Sequence, residues 1–427
     1  MQKKGSLKVL DVKDNGDWLI ERNEVFNTLI PLAGDTYKKF DKYDEDSIFV
    51  GYSRGFGTSR DPWAYNYSKE ALEKNMSSMI GEYNIQMSNG KIEYDRTKIA
   101  WNSTLEQLFN RNEKIEYSSE LVTRASYRPF TTKWFYHSEK TIHEIASMPY
   151  IFPAASVDNL LICVAGVGVK KDFSCIMTDC MTDVQLMANG QCFPLYWYED
   201  KSEIRRENKQ KSLFDDSPSL IKHDGVSDFA LKNAKSKYGS NLTKEDIFYY
   251  VYGYLHSPEY KESFLTDLKL ALPRIGFVKN TEDFWKFVKA GRNLAYLHLN
   301  YEDVQPFETV KLSGSINIED IRYDDKFCHV NKMRAFPEKR KVVYNKNITI
   351  ENIPKEAFDY VINGRSAIEW IVDQYQYKVD KKSGIVNDPN DYAGGSYVLR
   401  LLLSVISVSV KTMEIIKNIP ELKFEDE

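Results

Sequence analysis

The residues best suited to chemistry in this chain are arginines set among glycines and large aromatics. The densest stretch runs from Gly51 to Ser68 and holds Arg54 and Arg60 beside Tyr52, Phe56, Trp63, Tyr65 and Tyr67. Arginine presents a planar fork of donors that matches phosphate or carboxylate. Tyrosine and tryptophan offer flat faces for a base or a guanidinium. The stretch reads either as a glycine-kinked packing loop or as a surface for a polyanion. A second set is Arg124, Arg128 and Lys133 beside Tyr127, Phe130 and Trp134. It suits DNA equally as well as an aromatic core in which Arg128 pairs with a buried carboxylate. A third set is the charged stretch Lys201–Lys211, with Arg205, Arg206, Asn208, Lys209 and Gln210. Arginine reads guanine edges, and Asn or Gln reads adenine edges, in a major groove. The fourth is the most basic window, residues 326–346, with Lys326, Lys332, Arg334, Lys339, Arg340, Lys341 and Lys346 against the single acid Glu338. It reads as a phosphate-contacting arm or as a solvated hairpin face.

Catalytic patterns are missing. No GxxxxGK[ST] phosphate loop and no Gly-x-Ser-x-Gly elbow occurs. Ala165-Gly166-Val167-Gly168-Val169 follows a strand pattern but has no third glycine opening a helix, so it reads as a turn. Asn387-Asp388-Pro389-Asn390 lacks the second proline and the aromatic that an adenine-holding tetrapeptide needs, and reads as a turn. Asp183 followed by Glu199-Asp200-Lys201 has the order of a metal-dependent nuclease site, a second reading for the chain. Cys163, Cys175, Cys180, Cys192 and Cys328 show no CxxC spacing. No catalytic residue and no metal ligand is assigned.

A chain of 427 residues suggests two or three domains. The net charge of −4 means that any DNA contact rests on local basic patches. It also leaves room for a third reading, a protein-interaction subunit without DNA contact. No apolar core follows the N-terminal lysines, and the run Val398–Val410, broken by Arg400, is too short to span a bilayer. A cytoplasmic protein is expected.

The elements that must position these groups fall into blocks. Ser68 caps a helix with the stripe Leu72, Met76, Met79, Ile80 and Tyr83. A further helical pattern lies within 95–122. Strands are expected at 134–136, 160–164, 173–177 and 193–198, then an exposed loop at 199–217. Thr243 and Asp246 open one helix, Ser257-Pro258 a second, and Phe284, Phe287, Val288, Leu294 and Leu297 mark a third. Strands are expected at 326–330, 342–344 and 348–350, and helices near 365–377 and 397–417. Runs of strands followed by runs of helices predict an α+β fold, a strand-rich recognition core with helical flanks.

Several ordered blocks resemble one family. Tyr52-Ser53-Arg54-Gly55, with Thr58, Arg60-Asp61, Trp63, Tyr65-Asn66 and Ser68, is similar to the block after the methyltransferase domain in type ISP restriction-modification enzymes. Tyr127-Arg128-Pro129-Phe130, Phe193-Pro194-Leu195-Tyr196, Glu245-Asp246-Ile247-Phe248-Tyr249-Tyr250, Leu255-His256-Ser257-Pro258-Glu259-Tyr260 and Asn363-Gly364-Arg365-Ser366 follow in the family's order. The resemblance implies the C-terminal target-recognition region of such an enzyme, acting in phage defence. It implies binding of double-stranded DNA next to methyltransferase and translocase domains of the same system. S-adenosylmethionine, ATP and Mg²⁺ would serve those other domains, and no cofactor is expected in this chain. The implied partition is a helical segment at 1–120 adjoining the methyltransferase, a target-recognition domain at 121–310, and a C-terminal α+β segment at 311–427. Expected DNA contacts are Arg54, Arg60, Arg124, Arg128, Lys133, Arg205, Arg206, Asn208, Gln210, Arg334, Arg340 and Lys341.

Overall fold

The computed structural model describes residues 22–34, 40, 46–154, 157–200, 220–313, 317, 320–322 and 326–424. After a short 3-10 turn at Glu24–Thr28 and a two-residue pairing of Ile30–Pro31 with Arg274–Ile275, the chain forms two short strands, β1 (Ser53–Arg54) and β2 (Tyr65–Asn66). Helix α1 (Lys69–Ser88) starts where the Ser68 hydroxyl accepts from the backbone N–H of Ala71. Its stripe Leu72, Met76, Met79, Ile80 and Tyr83 is buried, as the 3.6-residue spacing predicts. The helical pattern within 95–122 condenses to α2 (Ser103–Asn110), capped by the Asn102 side chain. Strands β3 (Val122–Arg128) and β4 (Thr131–Tyr136) form a hairpin, and β2 adds to its β4 edge. A register shift between Ser126 and Arg128 breaks the ladder, and it re-aims Arg128.

A second antiparallel sheet follows. It contains β5 (Leu161–Val164), β6 (Cys175–Thr178) and β7 (Gln191–Pro194), with β1 on the far edge in the order β1-β7-β5-β6. β5 and β6 are buried on both faces, so they read as continuous apolar runs rather than alternating ones. β8 (Tyr196–Asp200) and β9 (Leu220–Asp224) pair as a separate hairpin. Of the exposed loop expected at 199–217, Glu199 and Asp200 instead end β8, and the rest, with Arg205, Arg206, Asn208 and Gln210, lies outside the described residues.

The helical block is α3 (Asp228–Tyr238), α4 (Lys244–Tyr254) and α5 (Thr281–Leu299). Thr243 and Asp246 make the expected capping box, and Ser257 caps the short helix Pro258–Ser263. α4 and α5 touch backbone to backbone. A Cβ on Gly291 would lie 1.9 Å from the Tyr249 carbonyl oxygen, and one on Gly253 would lie 2.4 Å from that of Phe287. Only glycine permits this crossing.

The C-terminal part holds a third antiparallel sheet. Its strands are β10 (Lys311–Leu312), β11 (Arg334–Phe336), β12 (Lys341–Val343) and β13 (Thr349–Glu351), in the order β10-β13-β12-β11. The strand expected at 326–330 is instead a tight turn at Lys326–Cys328. Its carbonyls are met by side chains rather than a ladder: Tyr344 donates to Cys328 at 2.7 Å and Asn345 to Phe327 at 3.0 Å. Helix α6 (Ala367–Gln374), a small hairpin of β14 (Lys378–Val379) with β15 (Val386–Asn387), and α7 (Tyr397–Lys417) close the chain. The apolar run 398–410 is the buried side of α7, where each buried Leu, Ile or Val contributes about 1.5–3 kcal/mol. The fold is α+β, as the element pattern predicts. One core draws together Tyr65, Phe135, Leu161, Val342, Ile368 and Leu402, and β2 pairs with β4, so contacts cross the expected partition at 120 and 310. No helix among the described residues is long and apolar enough to cross a membrane.

Candidate nucleic-acid interface

The loop 51–68 is a seam between the first two sheets. Phe56 stacks on Phe135 at 4.4 Å, and Gly57 exchanges backbone hydrogen bonds with Glu144. A Cβ on Gly55 would lie 2.6 Å from the Val184 backbone. Trp63, Tyr65 and Tyr67 are all buried, so their faces are filled by protein. Arg60, expected at a phosphate, is 2% exposed. Its Nη1 lies 3.8 Å from the Met79 sulfur, and burial pushes the guanidinium down to about 9. The guanidinium is thus sealed against α1 rather than presented at the surface where a phosphate contact was expected. Arg54 does reach solvent, with Glu144 at 3.7 Å.

The second set is a polar cluster within aromatic walls. Arg128 Nη1 donates to Asp183 Oδ1 at 2.9 Å, and its Nη2 lies 3.8 Å from Asp61 Oδ2. Its guanidinium stacks 3.9 Å from the Tyr127 ring centroid. Tyr65 donates to Asp183 Oδ2 at 2.9 Å, Tyr127 donates to Asp61 at 3.0 Å, and Thr58 donates to the other Asp61 oxygen. Burial pushes the Asp183 carboxyl up, and Arg128 opposes that shift. Lys133, also expected at DNA, is buried with its ammonium 4.3 Å from the Tyr127 ring and 4.5 Å from that of Tyr67. Burial pushes it down to about 7, and Arg128 and Lys378 add repulsion. The sequence could not separate surface from core here, because cation–π packing uses the same residue types as nucleic-acid binding. For Lys133 the core reading holds, and Arg128 carries the buried carboxylate partner weighed as its alternative.

Other cations are open to solvent. Arg124 stands opposite Trp134 across the β3–β4 hairpin, with Glu302 at 3.5 Å and the Tyr392 ring at 5.6 Å. It lines a groove of about 830 Å³ that also includes Lys114, Lys140, His137 and Phe152. Four acids, Glu116, Glu120, Glu139 and Asp179, line the same groove. In the third sheet Arg334 and Arg340 are exposed and Lys341 is half-buried. Lys339 and Lys341 flank the Phe336 ring at 5.9 and 6.0 Å. The structure therefore leaves Arg54, Arg124, Arg334, Arg340 and Lys341 accessible, on separate elements.

The nuclease reading meets a different geometry. Both Asp183 oxygens are already taken by Arg128, Tyr65 and the backbone N–H of Gln185. Glu199 lies in the β8–β9 hairpin, 3.1 Å from His223. Lys201 is outside the described residues. Among the described residues no group of three His, Cys, Asp or Glu side chains could hold a metal.

Residues 47–402 match the sequence model of the Type ISP C-terminal specificity domain. The chain belongs to that family. As a Type ISP specificity domain it is similar in structure to a nuclease-deletion mutant of the Type ISP restriction-modification enzyme LlaGI in complex with a DNA substrate mimic. The identity is 32% and the TM-score 0.80, over 98% of this chain and 36% of that one. The ATP-dependent Type ISP restriction-modification enzyme LlaBIII bound to DNA is similar at 36% identity and TM-score 0.82, over 97% of this chain and 26% of that one. A DrdV–DNA complex shares the fold at 24% identity and TM-score 0.79, over 97% of this chain and 40% of that one. The specificity domain thus spans well under half the length of these enzymes. No curated protein matches the chain.

Proposed function

We propose that this specificity domain selects a double-stranded DNA sequence on behalf of a Type ISP restriction-modification system. The observation that carries the reading is the family match across residues 47–402, together with two similar structures above 30% identity whose chains hold DNA. Phosphate contacts from Arg54, Arg124, Arg334, Arg340 and Lys341 would set the register, and base-edge contacts would choose the site. Arg205, Arg206, Asn208 and Gln210 supply the residue types for the second task. Arg128 acts behind the surface, where it braces β3 and the loop 51–68 against each other through Asp183 and Asp61.

Adenine methylation, translocation and cleavage would belong to domains beyond this chain. S-adenosylmethionine, ATP and Mg²⁺ would be their cofactors, and a cytoplasmic setting suits such an assembly. The specificity domain would clamp the duplex so that a neighbouring methyltransferase flips its target adenine. The test is selection from a randomised duplex pool, with sequencing of the bound fraction. The reading expects an enriched motif, no methyl transfer from S-adenosylmethionine, and no cleavage on adding Mg²⁺. Cleavage would support the nuclease alternative, and an unenriched pool would support a protein-interaction subunit.

A further inference from the structure

The β14–β15 hairpin carries features that the packing of the domain does not use. Its strands are held from behind. Asn66 donates to the Val386 carbonyl at 3.0 Å, and Asn387 accepts from Tyr67 N–H at 3.2 Å. The Tyr377 N–H, just before β14, donates to the Asn331 carbonyl at 3.2 Å. Ile385 packs against the core of α1 and α2. The turn is also fixed. Asp380 Oδ2 accepts from the N–H groups of Lys382 and Ser383 and from the Ser383 hydroxyl, and Gly384 sits at φ +74°. The element is therefore rigid where a short exposed hairpin would ordinarily fray.

Its outer face is unusual for a protein surface. Tyr377, Val379 and Val386 are 45, 48 and 43% exposed. Lys378, Lys381 and Lys382 are exposed among them. Among the described residues none of the three lysines forms a salt bridge; Lys378 Nζ donates to the Asp373 carbonyl at 2.7 Å, and Asp380, held by the turn, is the one carboxylate of the hairpin and feels the Lys382 charge. The Tyr377–Asn331 bond ties the hairpin to the segment holding the exposed Lys332 and Arg334.

The geometry points to the β14–β15 hairpin as a duplex-contacting finger, with Lys381 and Lys382 on phosphates and Val379 and Val386 against the groove wall. The assignment rests on the DNA-recognition reading. Charge decides the partner: three exposed lysines against one carboxylate on a rigid two-stranded tip suit a polyanion, and a two-stranded ribbon fits a DNA groove.

The test compares the full chain with its Lys381→Ala/Lys382→Ala variant, using a fluorescein-labelled randomised 30-base-pair duplex and a range of salt. Two lost phosphate contacts should lower the slope of log K against log salt by about 1.8, at about 0.9 each. The affinity ratio between 50 and 200 mM salt should then shrink by about twelvefold. Melting temperature should stay parental, and Lys381→Arg/Lys382→Arg should restore the slope. A parental slope in the alanine variant, with the parent still binding, overturns the finger and leaves DNA recognition standing. Absence of binding by the parent chain overturns both. An unchanged slope with loss of self-association in sedimentation assigns the hairpin to a protein contact and also overturns the proposal.

Discussion

Replacing Lys133 with methionine should remove a specific pH dependence of stability. The ammonium is buried between the rings of Tyr67 and Tyr127, and burial holds it at about 7 against 10.5 for the open side chain. Between those values the unfolded chain binds more protons than the folded one at this position. Stability therefore rises with pH through that window and is lowest, from this residue, below about 7. Each pH step inside the window is worth up to about 1.4 kcal/mol, so between pH 7 and pH 9 the parent should gain about 2 kcal/mol from Lys133. At about 1 °C per kcal/mol for a chain of this size, that is about 2 °C in melting temperature. Methionine keeps the length, fills the aromatic slot and does not titrate. Every other titrating group is shared, so the difference between the parent and variant melting curves isolates Lys133. Circular-dichroism melts at half-unit steps from pH 6 to pH 9 give that difference. The variant should be the more stable protein at pH 7, and the gap should close by about 2 °C on reaching pH 9. Parallel curves across the range would refute the buried-ammonium reasoning. A flatter salt dependence of DNA binding in the variant would return Lys133 to the surface.

Three further outcomes follow from the same structure. Asp183→Asn leaves Arg128 with the more distant Asp61 as its carboxylate partner, and breaking this largely buried pair should cost about 3 kcal/mol, seen as a lower denaturation midpoint. Gly291→Ala drives a methyl into the Tyr249 carbonyl, so it should destabilise by about 1–3 kcal/mol or more in a urea titration. Arg54→Ala removes an exposed pair with Glu144 and should change stability by under about 1 kcal/mol. If Arg54 contacts a phosphate, its variant should also flatten the salt slope of DNA binding by about 0.9.

Local chemistry made much of the helical scaffold legible. Ser68, the Thr243–Asp246 box and Ser257-Pro258 mark helix starts because each cap satisfies backbone donors next to it in sequence. The run 398–410 fits α7 because a helix at the centre of a core can be apolar on most of its surface. What the sequence hid depends on tertiary partners. Arg60 and Lys133 look like surface cations until α1 covers one and two tyrosines enclose the other. The segment 326–330 resembles a strand, since Phe327 and Val330 say nothing of the Tyr344 and Asn345 side chains that take the carbonyls of the turn. The β14–β15 hairpin has strands of two residues, too short for any period to show. Its one sequence signal is Asp380 four residues before Gly384, a turn former placed before a residue free to take positive φ.

The most direct test of sequence recognition by this specificity domain is the affinity for a pool-selected duplex and for each of its single-base-pair variants, at one fixed salt concentration. The account predicts a contiguous or bipartite set of positions at which one change costs about 1–3 kcal/mol, with flanking positions neutral. Affinities that agree within about twofold across the whole panel, where RT ln 2 is only about 0.4 kcal/mol, would contradict it.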